Sequence, residues 1–512
     1  MVPKPYVVAF TNNSEVTPFY VFGWDSKKIC ETLFQNFKED YTYYCHNLLP
    51  IFSHLIPGIV DLQIKYSWVF INTSLYEVTI WYNGKKFFLR CSHKLIPFKL
   101  KSFFPNLSPI QKLFFPYYFL TNWEAKVPCS FWSSIDRAYH ELSIHEYYVL
   151  YTATDCKILK WGLLNFFKTL GECGIKVEKR ALTCGSIALN HYIKNFNQIT
   201  LNLNPHTQSW LKKAYYGGRC EVFGNAKAHE KILHFDFKGM YQQCMAEELP
   251  SGDYEYSSTN LNLKVPGFYY IIIECYADIP VLPLKTDKLV FKNGLFEGWY
   301  WYEEILLALE YCRVTHLQIM HGLLSKENSF ALKDFIGQLG RVRERGGIHK
   351  DIGKLLINSF YGRLGIQDSY KVLTLYKSPR GLSEYGVLGD YFLGKTPVQK
   401  KTKSNIGLAA AITSKARIRL FRAIQEVCAC GGRLLYCDTD SIFAAFAKGA
   451  LVENKRLGTY VCFDTALEET QISKAVFILP KTYGIVLTNG SSAIRVKGVE
   501  APNISFEALN KG

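Results

Sequence analysis

No uninterrupted apolar run in this chain approaches the roughly 18 residues that suggest a bilayer span, which argues against a membrane-spanning role. None of its 15 cysteines forms a C-x-x-C pair. The closest two are Cys428 and Cys430 and the rest are scattered, which argues against both a disulfide framework and a structural zinc site. The N-terminus, MVPKPYVVAF, has neither the basic-then-apolar layout of a secretory signal nor the Arg-rich pattern of a transit peptide. The protein is therefore expected to stay where it is made, in a host cytoplasm, or to be encoded inside an organelle. Internal repeats and low-complexity tracts are also missing. What is abundant is apolar surface: 48% hydrophobic and 15% aromatic residues are too many for a disordered chain. A length of 512 residues suggests two to four domains. The net charge of +16, from 60 basic against 44 acidic residues, favours a polyanionic partner or an anionic surface without identifying either. The 35 Phe and 34 Tyr read as an AT-biased coding sequence rather than as a stacking device.

Two short apolar runs, YVVAF and FYVFGW, around the polar NNSEVT predict a strand hairpin at the start. Further strand-like runs (VDLQIKYSWVFI, YEVTIWY, KKFFLRC) precede a predicted helix at SIHEYYVLYTATDCKILKWGLLNFF that closes a first α/β domain near residue 165. KILHFDFKGMY reads as a strand entering a turn, and GFYYIIIECYA as a buried strand. Residues 328–362 look helical, and SYKVLTLYKSPRGLSEYGVLGDYF looks like an irregular or hairpin insertion. Helix resumes at IGLAAAITSKARIRLFRAIQEVCA, and RLLYCDTDSIFAAF and VFILPKTYGIVLT each read as strand pairs.

The chemistry-bearing candidates are acidic. Alternation along the apolar hairpin is expected to point Asp438 and Asp440 to one side. Two such carboxylates repel unless they share hard divalent cations, which prefer oxygen ligands and can bridge to substrate phosphates. In isolation D-T-D is an ordinary surface turn. Upstream, Arg343, Lys350, Lys354, Asn358 and Tyr361 are spaced 7, 4, 4 and 3 residues apart, which on a helix gives one stripe of cations followed by polar and aromatic groups. Taken alone, that stripe is a solvated basic face.

In context the segments resemble family B DNA polymerases. YCDTDSIF is similar to the family's third motif, Asp236 with Tyr241 in DFKGMY to its first, and KLLINSFYG from Lys354 to Gly362 to its second, in the expected order. PKTYG at Pro480–Gly484 is similar to the K-x-Y element, and Tyr215, Gly217 and Gly218 to the Y-x-G-G segment of the protein-primed branch found in phages, linear plasmids and organelles. The matches cover Tyr215 to about Val499.

This resemblance implies an α+β multidomain protein in which an RNase H-like exonuclease-type domain precedes a right-hand polymerase with palm, fingers and the start of a thumb. The implied layout is 1–165 exonuclease-like; 166–335 linker with the Y-x-G-G element and first palm part; 336–425 fingers, with an inserted subdomain at about 366–398; 426–485 second palm part; and 486–512 start of the thumb. The chain stops soon afterwards at NISFEALNKG, so the thumb is expected to be short or the sequence incomplete. The resemblance further implies that Asp236 and Asp440, assisted by Asp438, hold two Mg²⁺ ions, with Mn²⁺ as a substitute. Tyr241 would exclude a ribose 2′-OH. Arg343, Lys350, Lys354, Asn358 and Tyr361 would meet the deoxynucleoside triphosphate; Tyr215, Gly217 and Gly218 the template; Lys481 and Tyr483 the primer end. The implied partners are template–primer DNA and a terminal protein acting as primer, in a mitochondrion or a phage or plasmid host.

The pattern breaks in the first domain, where the family carries four metal-binding carboxylates. Tyr151 and Asp155 in YTATD fit one element, but Thr11 and Asn13 stand where D-x-E is expected, and Ser53 where a second Asp should be. A two-metal hydrolytic site so depleted loses its charge compensation, so this domain is expected to be retained but catalytically silent. His46 and Asn47 are expected to pack the core rather than to hold single-stranded DNA. Two alternatives stay open: a nucleic-acid-binding homologue that has lost catalysis, and an RNA-templated polymerase, although the latter usually shows adjacent aspartates where this chain has Thr439 between them.

Overall fold

The computed structural model describes residues 7–12, 15–20, 25–71, 74–113, 126–127, 142–179, 181–227, 230–259, 261–366, 369–376, 378–381, 385–388, 391–399, 403–447, 472–498 and 504–511. The chain folds into two compact units. The first comprises Met1–Asn195, Gln338–Arg363 and Gln367–Thr402, the second Phe196–Gly337, Leu364–Ile366 and Lys403–Gly512.

In the first unit a four-stranded sheet runs in the order Thr42–Cys45, Lys85–Cys91, Ser74–Tyr82, Lys65–Ile71, with only the first pair parallel. Period-two alternation sends Val78, Ile80, Phe87 and Leu89 to one face, where they form a core with Ile29, Phe34, Phe52 and Ile56 of the helices Ser26–Asn36 and Leu48–Asp61. The expected hairpin at the start is present as Val7–Asn12 paired with Glu15–Tyr20. The long helix spans Ile144–Glu172, several residues beyond its predicted end.

The residues 328–362 are not one helix. Helix Lys333–Glu344 stops and Gly347–Leu364 starts afresh, because Gly346 and Gly347 take φ of 75° and 48°, a left-handed backbone that interrupts the hydrogen-bond ladder. Arg343 is thereby separated from the Lys350, Lys354, Asn358 and Tyr361 stripe that periodicity had joined to it. The second helix buries Ile352, Leu356 and Phe360 and packs Phe360 on Tyr192, ring centroids 5.4 Å apart. The insertion forms a three-stranded antiparallel sheet of Ser369–Tyr376, Tyr391–Gln399 and Tyr385–Leu388.

The second unit is built on a seven-stranded antiparallel sheet in the order Ser492–Arg495, Thr482–Leu487, Ile472–Leu479, Glu230–Asp236, Ser441–Ala447, Arg433–Asp438, Cys220–Val222. Helix Ile406–Ala429 packs against it with Ala409, Ala410, Ala411, Leu420 and Ile424 fully buried. A second sheet orders Tyr254–Ser257, Arg313–Ser325, Gly267–Tyr276 and Gly294–Trp301. Its strand Gly267–Tyr276, expected to be buried, has Phe268, Tyr269, Ile271, Ile273 and Cys275 buried, Tyr270, Ile272 and Glu274 half-buried, and Tyr276 exposed at its end.

Candidate active site

The acidic residues gather at one end of the seven-stranded sheet. Asp236 ends its strand opposite Ser441, and Asp438 ends the strand on the other flank of the same serine. The first strand stops at Asp438 and Asp440 lies in the turn that joins it to Ser441–Ala447. That turn is tight. The Asp440 amide donates to the Asp438 carbonyl at 2.6 Å across Thr439, whose φ of 59° is left-handed and strained for a β-branched residue. The Phe237 amide donates to the Asp440 carbonyl at 2.9 Å, tying the Asp236 strand end to the turn.

The Tyr-Tyr-Gly-Gly-Arg element holds the turn from outside. The Thr439 amide donates to the Arg219 carbonyl at 2.7 Å, and a Cβ on Gly218 would meet Thr439 Cγ2 and Oγ1 at 2.8 Å. Glycine is thus required at 218 because the strained turn lies against its backbone. Nothing lies within 4 Å of where a Cβ of Gly217 would be. Arg417, buried within the Ile406–Ala429 helix, forks onto Glu304 at 2.7 and 2.8 Å and donates to the carbonyls of Tyr216 and Gly217, each at 2.9 Å. Burial disfavours the guanidinium charge, but Glu304 more than offsets this and its pKa stays raised.

Lys481 joins the same end. Its ammonium lies 2.7 and 2.8 Å from the two Asp438 oxygens, and its backbone, at φ 64°, donates to the Tyr436 hydroxyl at 3.0 Å. Burial works against that ammonium while Asp438 favours it, and the net shift is upward. Tyr483 packs at a tilt against the stacked pair Tyr436 and Phe477, its phenol pushed up by burial. Tyr241 is pushed up to about 12 by burial, with Arg417, Tyr215 and Asp440 among the groups that bear on it. Among the described residues no group of three His, Cys, Asp or Glu side chains gathers closely enough to hold a metal ion; Asp438 is instead paired with Lys481.

The remaining candidates lie in the first unit. Lys350, Lys354 and Asn358 are exposed and Tyr361 half-buried along one side of Gly347–Leu364. Asp155 and Tyr151 are both engaged by Lys112, whose ammonium is 2.6 Å from the Tyr151 hydroxyl, 2.5 Å from one Asp155 oxygen and bonded to the other. Burial raises the Asp155 carboxyl and Lys112 opposes that rise. Ser53 bonds back to the Pro50 carbonyl at 2.7 Å. Asn13 and the Thr11 side chain lie outside the described residues. His46 is packed against His93 and Phe103 and bonded to the Phe98 carbonyl, and burial lowers its pKa to about 4.

Lys112, Arg417 and Glu304 were not found from sequence. A signal existed for Arg417: Lys415 and Arg417 interrupt an otherwise apolar, Ala-rich helix, where buried charge demands partners, and Glu303–Glu304 supplies them.

A profile of the family described as DNA polymerase type B, organellar and viral, matches residues 34–402. The chain belongs to this family. The matched span takes in Asp236 and Lys354 and ends before the Asp438–Asp440 turn. Among relatives, a probable DNA polymerase of Podospora anserina is 23% identical over 490 residues, covering 81% of this chain and 40% of that protein. The DNA polymerase of Bacillus phage phi29 is 24% identical over 367 residues, covering 65% and 58%. The chain thus spans about two fifths of the fungal relative's length. The solved structure of phi29 DNA polymerase with primer–template DNA matches with a TM-score of 0.75 at 19% identity, over 98% of this chain and 92% of that one. The expected fold class, an exonuclease-type domain with a right-hand polymerase, is therefore the fold of this type B family member. No helix among the described residues is long and apolar enough to cross a membrane.

Proposed function

We propose that this chain is a DNA-directed DNA polymerase that adds deoxynucleotides to a primer 3′-hydroxyl and does not proofread. The observation that carries the reading is the strained Asp438–Thr439–Asp440 turn, seated against Gly218 and tied to the Asp236 strand end. A decorative surface turn has no need of either contact. The three carboxylates are hard oxygen donors suited to Mg²⁺, or to Mn²⁺ in its place, and we assign Asp236 and Asp440 as the principal ligands with Asp438 assisting. Two such ions, when bound, acidify the primer hydroxyl and offset charge on the triphosphate.

The rest of the assignment concerns the chain's own side chains. Tyr241, half-buried with Asp440 of the acidic turn among the groups that bear on it, supplies a wall that leaves no space for a ribose 2′-OH. Lys481 and Tyr483 receive the primer end, and Tyr215, Gly217 and Gly218 present backbone to the template. Arg343, Lys350, Lys354, Asn358 and Tyr361 provide charge and a flat ring for the incoming nucleotide. Loss of proofreading is supported by Thr11, Asn13 and Ser53, which stand where the family carries carboxylates, leaving Asp155 without acidic companions at those positions. Membership of an organellar and viral family supports priming by a terminal protein and residence in an organelle or phage host.

The test is primer extension with Mg²⁺ on a DNA template, wild type against Asp438→Asn. A drop of about 1,000-fold or more is expected, on the scale of losing one preorganised electrostatic group. Equal extension by both proteins would overturn the site, and preference for an RNA template would overturn the substrate.

A further inference from the structure

The four-stranded sheet of the first unit has a second face: the long helix meets it at Tyr44, whose ring lies 6.2 Å from that of Phe167, and Thr79 opposite Phe88 is buried, while the row Lys65, Trp81, Lys86 lies toward the other end. Alternation sends Val78, Ile80, Phe87 and Leu89 inward, so Lys65, Trp81, Lys86, Phe88 and Arg90 lie on the opposite side. The registers align them across three strands: Lys65 opposite Trp81, Trp81 opposite Lys86, and Arg90 opposite Glu77. Cations and rings alternate in contact. The Lys65 ammonium is 5.3 Å from the Trp81 ring and that of Lys86 is 5.9 Å from it; Lys86 is 5.1 Å and Arg90 5.8 Å from the Phe88 ring. Glu77 is paired with Arg90, so Lys65 and Lys86 leave this face net positive.

We propose that this face binds single-stranded nucleic acid, giving the first unit a binding role that does not depend on excision. Charge complementarity selects a polyanion, and the interleaved rings select one whose bases are unpaired. A duplex offers the face only phosphates, whereas a single strand offers phosphates to the two lysines and base faces to Trp81 and Phe88. Strands lie about 4.8 Å apart, so neighbouring cation and ring can be engaged by one nucleotide and the next.

The experiment measures binding of the full chain to a fluorescently labelled single-stranded oligothymidylate in EDTA across a salt series. Variants are Trp81→Ala and the double Lys65→Gln/Lys86→Gln, with thermal melts to confirm folding. The lysine double variant is expected to lower the magnitude of the log–log salt slope by about 1.4, because each neutralised phosphate contributes roughly 0.7 for single strands. Trp81→Ala is expected to weaken single-strand affinity by about tenfold, the scale of one lost stacking contact, with little change for a blunt duplex. Unchanged affinity and slope would overturn the proposal, and so would an equal loss on single strand and duplex, which would mark a generally basic surface. Extension of a saturating primer–template is read on the same proteins. It is expected to stay at the wild-type level, so failure of the acidic-site reading would appear there and not in the binding data.

Discussion

Thr439 sits in a left-handed turn that few β-branched residues adopt, and Gly218 lies directly against its side chain. Gly218→Ala would place a methyl 2.8 Å from Thr439 Cγ2 and Oγ1, forcing either the backbone at Gly218 or the acidic turn to move. A shift near 1 Å at reacting groups costs about 100-fold. Primer extension by Gly218→Ala is expected to fall by about that factor while the melting temperature changes little, as steady-state rates and a thermal melt will show. His46 offers a second residue-scale test. Its pKa falls from the ordinary 6.5 to about 4 because burial, reinforced by nearby His93, disfavours the charged ring. The unfolded chain binds the proton at higher pH than the folded one, so the stability this group contributes is present above about pH 6.5 and is lost as pH falls toward 4, by up to roughly 3 kcal/mol. The melting temperature of wild type is expected to drop more steeply between about pH 7 and 4.5 than that of His46→Gln, and parallel curves would contradict this.

Among the elements, the Ile406–Ala429 helix links packing to the site. It is buried nearly all round, yet carries Arg417, whose fork divides between Glu304 and the carbonyls of Tyr216 and Gly217. Removing Arg417 alone leaves Glu304 buried and uncompensated, a loss of about 3–5 kcal/mol. Replacing both partners, as Glu304→Leu/Arg417→Met, is expected to restore most of that stability, since apolar substitutes for a buried pair are tolerated. Primer extension should nevertheless stay impaired by about tenfold or more, because the carbonyls of Tyr216 and Gly217, next to the Gly218 that seats the acidic turn, lose their donors. A double variant with normal melting and normal extension would show that the fork serves stability alone. The 333–364 region teaches the opposite lesson about elements. Spacing alone joined Arg343 to the Lys350–Tyr361 stripe, and two left-handed glycines, whose φ no periodicity encodes, cut the helix between them.

At the scale of the whole molecule, excision by the first unit is measured separately from extension. Asp155 is held by Lys112, and Ser53 is turned back onto its own helix. With a mismatched primer terminus and no nucleotides, excision is expected to be undetectable, and Asp155→Ala is expected to change nothing. Efficient excision that Asp155→Ala abolishes would show that the first unit still cleaves. Much of the architecture was legible beforehand: the strand hairpins at Val7–Tyr20 and Arg433–Ala447 and the long helix at Ile144–Glu172 follow from local alternation and periodicity.

By itself the sequence singled out the candidate segments: Asp236 with Tyr241, the Asp-Thr-Asp turn, Lys354 to Tyr361, and Lys481 with Tyr483. Each is a short run whose residue types and spacing are local properties of the chain. Only the tertiary structure decided that Lys481 pairs with Asp438 across 43 residues, that Arg417 reaches Tyr216 across 201, and that Lys112 covers Asp155 across 43. The physical reason is the same in each case. A buried or crowded charge must find an opposite charge or a carbonyl, and which one it finds depends on how strands and helices pack, on which spacing along the chain is silent.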